Sequence, residues 1–335
     1  MGSDPATVGG KAMRIGIIGT GRHGSRYAKH IVNDCHELKL SALSRRTEYG
    51  GTQAENWGCR WFPDWRDLVR DKDVEAVIAA VPPILNREIA RCCARHGKPL
   101  LLEKPLAVDV GAGIELVRSM RAAGVPLTIA QTLRYNPVIR RLREIVPEQG
   151  RLHTIYANQR IEPSPLSWLD EPAVAGAGIT LHIAVHVFDA LSFITGLRVR
   201  RLQAWCSRER AGKLEDLAQI RVEMENGVTG LIEVSKLSSG RSGRYEFVCS
   251  AAQVHGDQVH GHVCRLTGTT ATTVADFPST PTIPLLLQDW QRFLAGAGSN
   301  PITGEDGLVA VVLADACLRS SQTGRPVDIV TEFGF

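Results

Sequence analysis

The residues with the plainest chemistry form a short loop, Gly19-Thr20-Gly21-Arg22-His23-Gly24, a G-x-G-x-x-G pattern. The loop follows the apolar run Arg14–Ile18 and opens a helical stretch, Ser25–Asn33. In that setting each glycine has a task. Gly19 permits the tight turn, Gly21 lets backbone approach a pyrophosphate, and Gly24 lets helix and strand pack closely. The helix start offers free N–H groups and the positive end of its dipole to an anion, so the loop predicts a bound dinucleotide. About 20 positions further on, an NAD site typically sets an acidic residue on the ribose hydroxyls. Here those positions read Ser44-Arg45-Arg46, with no carboxylate until Glu48. A hydroxyl followed by two guanidiniums suits a 2′-phosphate, because Arg offers a fork of charge-assisted donors. NADP(H) is therefore expected as the preferred cofactor, with NAD(H) an alternative. The other reading of the pair stacks Arg45 on the adenine and leaves Arg46 solvated.

A second constellation is Leu100-Leu101-Leu102-Glu103-Lys104-Pro105, a carboxylate and an amine at the carboxyl end of an apolar run. Ligands of open α/β sheets bind at that edge. A Lys beside a cofactor and a second titratable group can act as general acid or base well below its free pKa. Pro105 fixes the chain direction after the Lys and is a candidate for a cis bond. A third is His182-x-x-x-His186, two imidazoles that share a face if the stretch is helical. With Asp189 one turn on, that spacing resembles a metal-ligand set; no H-E-x-x-H context accompanies it, and no metal is assigned.

These residues need elements to hold them. Arg14–Ile18, Lys39–Leu43, Ala76–Ala80, Leu100–Leu102 and Leu127–Ala130 are short and apolar at consecutive positions. That is how strands buried on both faces of a parallel sheet read. Helical patterns lie between them, such as Leu85–His96 closed by Gly97 and Val110–Ala123 closed by Gly124. The alternation predicts an α/β Rossmann domain with a doubly wound parallel sheet over residues 13–132. Beyond about residue 150, strand follows strand: Leu152–Ile161, Arg201–Cys206, Gln219–Glu225, Val228–Ser235 and Tyr245–Cys249. Asn226-Gly227 is a hairpin signal between two of them. Helical patterns at Thr180–Thr195, Pro284–Leu294 and Glu305–Thr323 complete an α+β domain over 133–335, built on a mostly antiparallel sheet. Its last helix is expected to return to the first domain. Residues 1–12, polar and Gly-rich, read as an added leader without the apolar segment of a signal peptide.

Composition narrows the class. The 335 residues are 44% hydrophobic and 22% charged with a net charge of +4, enough apolar mass for about two globular domains. The arginines fall in small groups rather than one basic face, so nucleic-acid binding is not expected. No apolar run was seen that approaches the roughly 18 residues of a membrane span. The eight Cys form no C-x-x-C pair, which argues against a zinc site or disulfide framework and for buried thiols in the cytoplasm.

Over residues 13 to about 330 the chain resembles the Gfo/Idh/MocA oxidoreductases. The resemblance rests on Gly19–Gly24, Ala80-Val81-Pro82-Pro83, Glu103-Lys104-Pro105, Gly176–Asp189 and Ser321–Val327, in order and at similar spacing. It implies a Rossmann domain followed by an open-faced sheet domain. The implied reaction is hydride exchange between NAD(P) and a carbinol or carbonyl carbon of a sugar, inositol or related polyol. Lys104 matches the family's catalytic lysine and Glu103 its supporting carboxylate. Ala80, Val81 and Pro82 match the loop under the nicotinamide ribose; where that loop often continues with Asn and His, this chain has Pro83-Ile84-Leu85-Asn86, with Asn86 as a cofactor contact. Gln131 and Arg134-Tyr135-Asn136-Pro137 match the segment lining the cleft, with Gln131 toward cofactor and Tyr135 toward substrate. Trp168 matches a loop that approaches the cofactor in NADP-using relatives. His186 falls on the catalytic histidine and Asp189 on the acid that follows. Two positions depart: His182 stands where many members have Asp or Asn, and Ala184 where they have Gly. An imidazole at 182 keeps a substrate-orienting role but not a negative charge.

Two functions follow from these residues. The first is an NADP(H)-dependent oxidoreductase in which Lys104 and His186 share proton transfer and His182 orients the substrate. The second is a regulatory protein that binds NADP(H) or a sugar on the same scaffold without turnover. A homo-oligomer, dimer or tetramer, is expected by analogy, through the open face of the second sheet.

Overall fold

The structure, a computed structural model, describes residues 12–334. The leader expected over residues 1–12 lies, apart from Ala12, outside them. The first unit runs β1 (Met13–Ile18), α1 (Gly24–Asp34), β2 (Leu38–Ser44), α2 (Tyr49–Trp57), β3 (Arg60–Phe62), α3 (Trp65–Arg70), β4 (Ala76–Ala79), α4 (Asn86–Arg95), β5 (Leu100–Glu103), α5 (Val110–Ala122) and β6 (Leu127–Ala130). Its six strands are parallel in the order β3-β2-β1-β4-β5-β6. Chain order reverses between β1 and β4, and ligands of such sheets bind at that switch point. Ile15, Ile17, every residue of β4 and Leu100–Leu102 are fully buried, as strands covered by helices on both faces must be. Elements α2, β3 and α3 are not expected from the sequence pattern. Helix α2 carries Gly50 and Gly51 in its first turn, poor helix formers that mask its pattern. Gly50 is needed there: a Cβ would lie 2.3 Å from Trp61 Nε1.

The second unit runs α6 (Pro137–Ile145), β7 (Leu152–Arg160), α7 (Pro172–Ala175), α8 (Val185–Thr195), β8 (Val199–Ser207), β9 (Leu217–Met224), β10 (Thr229–Ser235), β11 (Ser242–Cys249), β12 (Gln253–Asp257), β13 (His262–Thr267), β14 (Thr270–Asp276), α9 (Ile283–Leu294), α10 (Gly304–Thr323), β15 (Val327–Asp328) and α11 (Ile329–Phe333). Its nine strands lie in the order β14-β13-β12-β11-β7-β10-β9-β8-β15. All neighbours are antiparallel except β7 and β10. Asn226-Gly227 turns β9 into β10, with Gly227 at φ 84°. One face of the sheet is buried; the other leaves Tyr156, Trp205 and Leu231 exposed.

Two expectations need correction. The stretch Pro172–Thr195 is long and apolar enough to cross a membrane by composition, with mean hydropathy 1.6, contrary to the reading that no such run exists. Its most apolar window is 72% buried inside the protein, so its hydrophobicity serves the core. Nor is Thr180–Thr195 one regular helix: Thr180–Ala184 forms a π turn that feeds into α8. Helix α10 lies against the first unit. Ile129 N–H donates to Ile302 O at 3.0 Å, and Gly304 and Gly307 abut Leu127 and Ile129 so closely that a Cβ would sit under 3 Å from either.

Candidate active site

The glycine loop is built as its spacing requires. Gly19 has φ +86°, and a Cβ there would lie 2.5 Å from Ala80 O at the end of β4. At Gly24 a Cβ would lie 1.9 Å from Gly19 O, so only glycine lets α1 start this close to β1. At Gly21 nothing stands within 4 Å of the added atom. That face is the open cradle a pyrophosphate needs. Thr20 is buried, with its hydroxyl donating to Gln53 Oε1 at 2.7 Å, while Gln53 Nε2 returns to Thr20 O at 3.1 Å. Sequence reasoning missed Gln53, a partner 33 residues away with no motif of its own. Arg22 is exposed at the loop tip.

The end of β2 is only partly as expected. Ser44 is buried and its carbonyl accepts from Gly19 N–H at 2.9 Å. Arg45 turns inward: Nη1 donates to Thr20 O at 2.6 Å, Nε donates to Thr47 Oγ1 at 2.9 Å, and the guanidinium lies over the Tyr49 ring. Arg46 is exposed. Much of the Arg45 fork therefore braces the loop, and Arg46 is the more available cation.

At the end of β5, Glu103 and Lys104 diverge. Glu103 Oε1 lies 2.7 Å from His23 Nε2 and also accepts from the Tyr27 hydroxyl. Burial raises its pKa, but the contacts with His23, Tyr27 and Lys104 outweigh this and leave it below the usual value. Lys104 donates through Nζ to His182 O at 2.8 Å across the cleft, and burial lowers its pKa against the opposing pull of Glu103. The Lys104-Pro105 bond is cis. Asn86, expected at the cofactor, directs Nδ2 to Pro105 O and Leu106 O at 3.1 and 3.2 Å, so its amide braces the Lys104 turn; its Oδ1 is buried and unpartnered. Val81 lies against the core, and Pro82 leads into a 3₁₀ turn, Pro83–Leu85.

The histidines sit on the π turn and the start of α8. His182 Nε2 lies 3.1 Å from Ala175 O, an acceptor only, so that nitrogen carries the proton and Nδ1 is left as an acceptor. Burial first, then Lys104, pushes its pKa down to about 3. Trp168 meets the ring edge-on at 5.8 Å. His186 Nδ1 is buried without a partner among the described residues. Burial, followed by Lys104, His23 and His182, depresses its pKa well below the ordinary value. The turn is held by Glu215, whose Oε1 accepts from Gly178 N–H at 2.8 Å and Thr180 N–H at 3.2 Å. A Cβ at Gly178 would lie 2.0 Å from Glu215 O, which explains that glycine. Glu215 lies on the β8–β9 connection, and no local pattern marks it.

Lys104, His182, His186 and Trp168 thus come together, and the glycine loop joins them through His23 and Glu103. Gln131 is 1% exposed with Oε1 unpartnered, a buried acceptor that fits a ligand amide. Two residues are not brought in. Tyr135, expected to touch substrate, is 3% exposed, with Asp289 near its hydroxyl and the Arg140 guanidinium over its ring at 4.8 Å. Asp189 accepts from Arg134 Nε and Nη2 at 3.0 and 2.6 Å, so it braces α8. Among the described residues, no three His, Cys, Asp or Glu side chains converge as metal ligands. The cradle at Gly21, the orphaned Gln131 and the paired titratable groups fit a nicotinamide dinucleotide.

Comparison with known proteins shows the family and the fold. Residues 13–131 match the oxidoreductase family with an NAD-binding Rossmann fold, and residues 139–255 match the GFO/IDH/MocA C-terminal domain. Inositol 2-dehydrogenase 2 of Saccharopolyspora erythraea is 27% identical over 338 residues, covering 96% of this chain and 97% of that protein. Myo-inositol 2-dehydrogenase of Thermotoga maritima is 26% identical over 96% of this chain and all of its own length. A levoglucosan dehydrogenase solved with NADH and L-sorbose superposes with a TM-score of 0.88 at 19% identity, over 95% of this chain and 99% of that one. With both of its domains matched, the chain belongs to the Gfo/Idh/MocA family of oxidoreductases.

Proposed function

We propose that this protein is an NADP(H)-preferring oxidoreductase of a CH–OH carbon in a sugar, inositol or related polyol. The observation that carries the reading is the Lys104 amine, part-buried and bound to His182 O at 2.8 Å, beside His186, whose Nδ1 is buried without a partner. The bound nicotinamide supplies the hydride acceptor or donor. Oxidation also requires that the hydroxyl proton leave as the carbonyl forms. Lys104, easily deprotonated because it is buried, takes that proton, and His186 Nε2 shares the transfer. His182, neutral near pH 7, accepts a hydrogen bond from a second substrate hydroxyl through Nδ1. Trp168 offers an apolar wall behind it. The preference for NADP(H) is supported by the absence of a carboxylate at the end of β2 and by the exposed Arg46.

The test is a panel of sugars, inositols and their keto forms with each cofactor. NADPH should bind more tightly than NADH, and Arg45→Ala with Arg46→Ala should remove most of that difference. Equal affinity of the unaltered protein for both would sink the preference. The second reading, a sugar- and NADP(H)-binding regulator, is favoured by one observation: His182 Nε2 is tied to Ala175 O, at the position where the family resemblance leads one to expect Asp or Asn. Binding without turnover across the whole panel would establish it. The exposed Tyr156, Trp205 and Leu231 on the open sheet face support a homo-oligomer, a dimer or tetramer, which light scattering would read directly.

A further inference from the structure

His23 stands where the glycine loop meets the end of β5. Its Nε2 reaches Glu103 at 2.7 Å, and Tyr27, one turn along α1, meets its ring edge-on at 5.7 Å while donating to the same carboxylate oxygen. The Glu103 side chain is 10% exposed, that of His23 48%. One side of the imidazole therefore touches a buried carboxylate, and the other is open beside the helix start that receives an anion. Glu103 is also the acidic neighbour that favours the ammonium form of Lys104. The other charged or titratable groups around His23 are Arg22 and Arg26 of its own loop and helix, Tyr27, and His186 on α8. None of them is a second carboxylate that could replace Glu103.

We propose that His23 is a positioning residue that relays the charge of the bound dinucleotide to Lys104. Anionic phosphate in the loop favours the imidazolium. The imidazolium neutralises Glu103, and Lys104 loses the counter-charge that holds its proton. One proton enters at His23 and one leaves Lys104, both exchanged with water; no electrons move. The base is thereby released when the cofactor is in place. The proposal rests on the oxidoreductase reading, and it makes His23 more than a loop residue.

The sign of two pH shifts tests it. At saturating NADP, the acid limb of kcat/KM for oxidation of the sugar should move up by about one pH unit in His23→Asn, which keeps a hydrogen-bond donor but no charge. In Glu103→Gln it should stay or move down. His23→Lys, with a permanent charge, should restore the limb of the unaltered protein. A merely structural role predicts the same direction for both substitutions and no rescue. A second readout needs no turnover. In Lys104→Met, binding of ADP-ribose 2′-phosphate, followed by calorimetry in buffers of different ionisation enthalpy near pH 7.5, should take up protons. Adding His23→Asn should abolish that uptake. Loss of uptake assigns the entering proton to His23 whether or not a sugar substrate has been found, whereas absence of turnover on the panel counts against the oxidoreductase reading alone. Unchanged uptake in the double variant, or an acid limb that does not respond to His23→Asn, overturns the proposal.

Discussion

Gly24→Ala and Gly21→Ala separate folding from binding within four residues of chain. At Gly24 the new Cβ would lie 1.9 Å from Gly19 O, while ordinary contact begins near 3.4 Å. About 1.5 Å must be found by moving backbone against backbone, since both sides of the contact are main chain. Overpacking of this kind costs about 1–3 kcal/mol. At roughly 2–4 °C per kcal/mol for a larger chain, Tm should fall by about 2–12 °C. At Gly21 nothing lies within 4 Å and the backbone is not left-handed, so Gly21→Ala should melt within about 2 °C of the unaltered protein. Its methyl group instead fills the space offered to phosphate. Losing one charge-assisted hydrogen bond there, about 1.5–3 kcal/mol, should weaken NADPH by roughly 10- to 150-fold. Thermal melts and fluorescence titration check both variants. Equal Tm losses, or Gly21→Ala binding NADPH within twofold of the unaltered protein, would refute the division of labour.

Lys104→Met and His186→Ala should each lower turnover by about 10²–10⁴-fold while NADPH affinity stays within a few-fold, measured by steady-state kinetics and titration. His182→Ala should raise the apparent KM for substrate more than it lowers kcat, and equal effects on both would deny it an orienting role. Stability should also fall as the solution is acidified. His182 is neutral in the fold, with its pKa pushed from 6.5 to about 3, so the unfolded chain binds the extra proton below pH 6.5. Between pH 6.5 and 5 that loss reaches up to about 2 kcal/mol, read as a falling denaturant midpoint. In His182→Asn this contribution to the slope should vanish.

The parts of the molecule that were legible in sequence are those where one local rule decides. The consecutive apolar residues of β1, β4 and β5 fit only a strand covered on both faces. Gly19 and Gly24 each answer a steric demand made within a few residues or by the adjoining strand, and Gly21 leaves open the space that the motif reserves for phosphate. Strand β14 was not legible, because Thr270–Asp276 is largely exposed and lacks an apolar face to alternate; β12 and β13 are short and carry only Val254 and Val263 as buried apolar residues. The His segment was located, but its π turn was not: an i,i+4 argument presumes α geometry, and a π turn breaks it. The burial of Tyr135 was not legible, because Asp289 near its hydroxyl comes from α9, far along the chain from the motif. Gln53 and Glu215 were missed for the same reason. Each acts through backbone groups brought near by tertiary folding.

The contact of Ile302 with β6 has a bearing on how the chain is made. Strand β6 ends the parallel sheet, and an uncovered edge invites pairing with another chain. Here the edge is closed by residues just before α10, through Ile129 N–H to Ile302 O and a bridge between Thr128 and Thr303. During synthesis the six-stranded sheet is complete well before its cover has been made. At about 5–20 residues per second, the interval is on the order of 10 to 30 s. Throughout it the nascent chain carries an open sheet edge, which the residues around Ile302 then close.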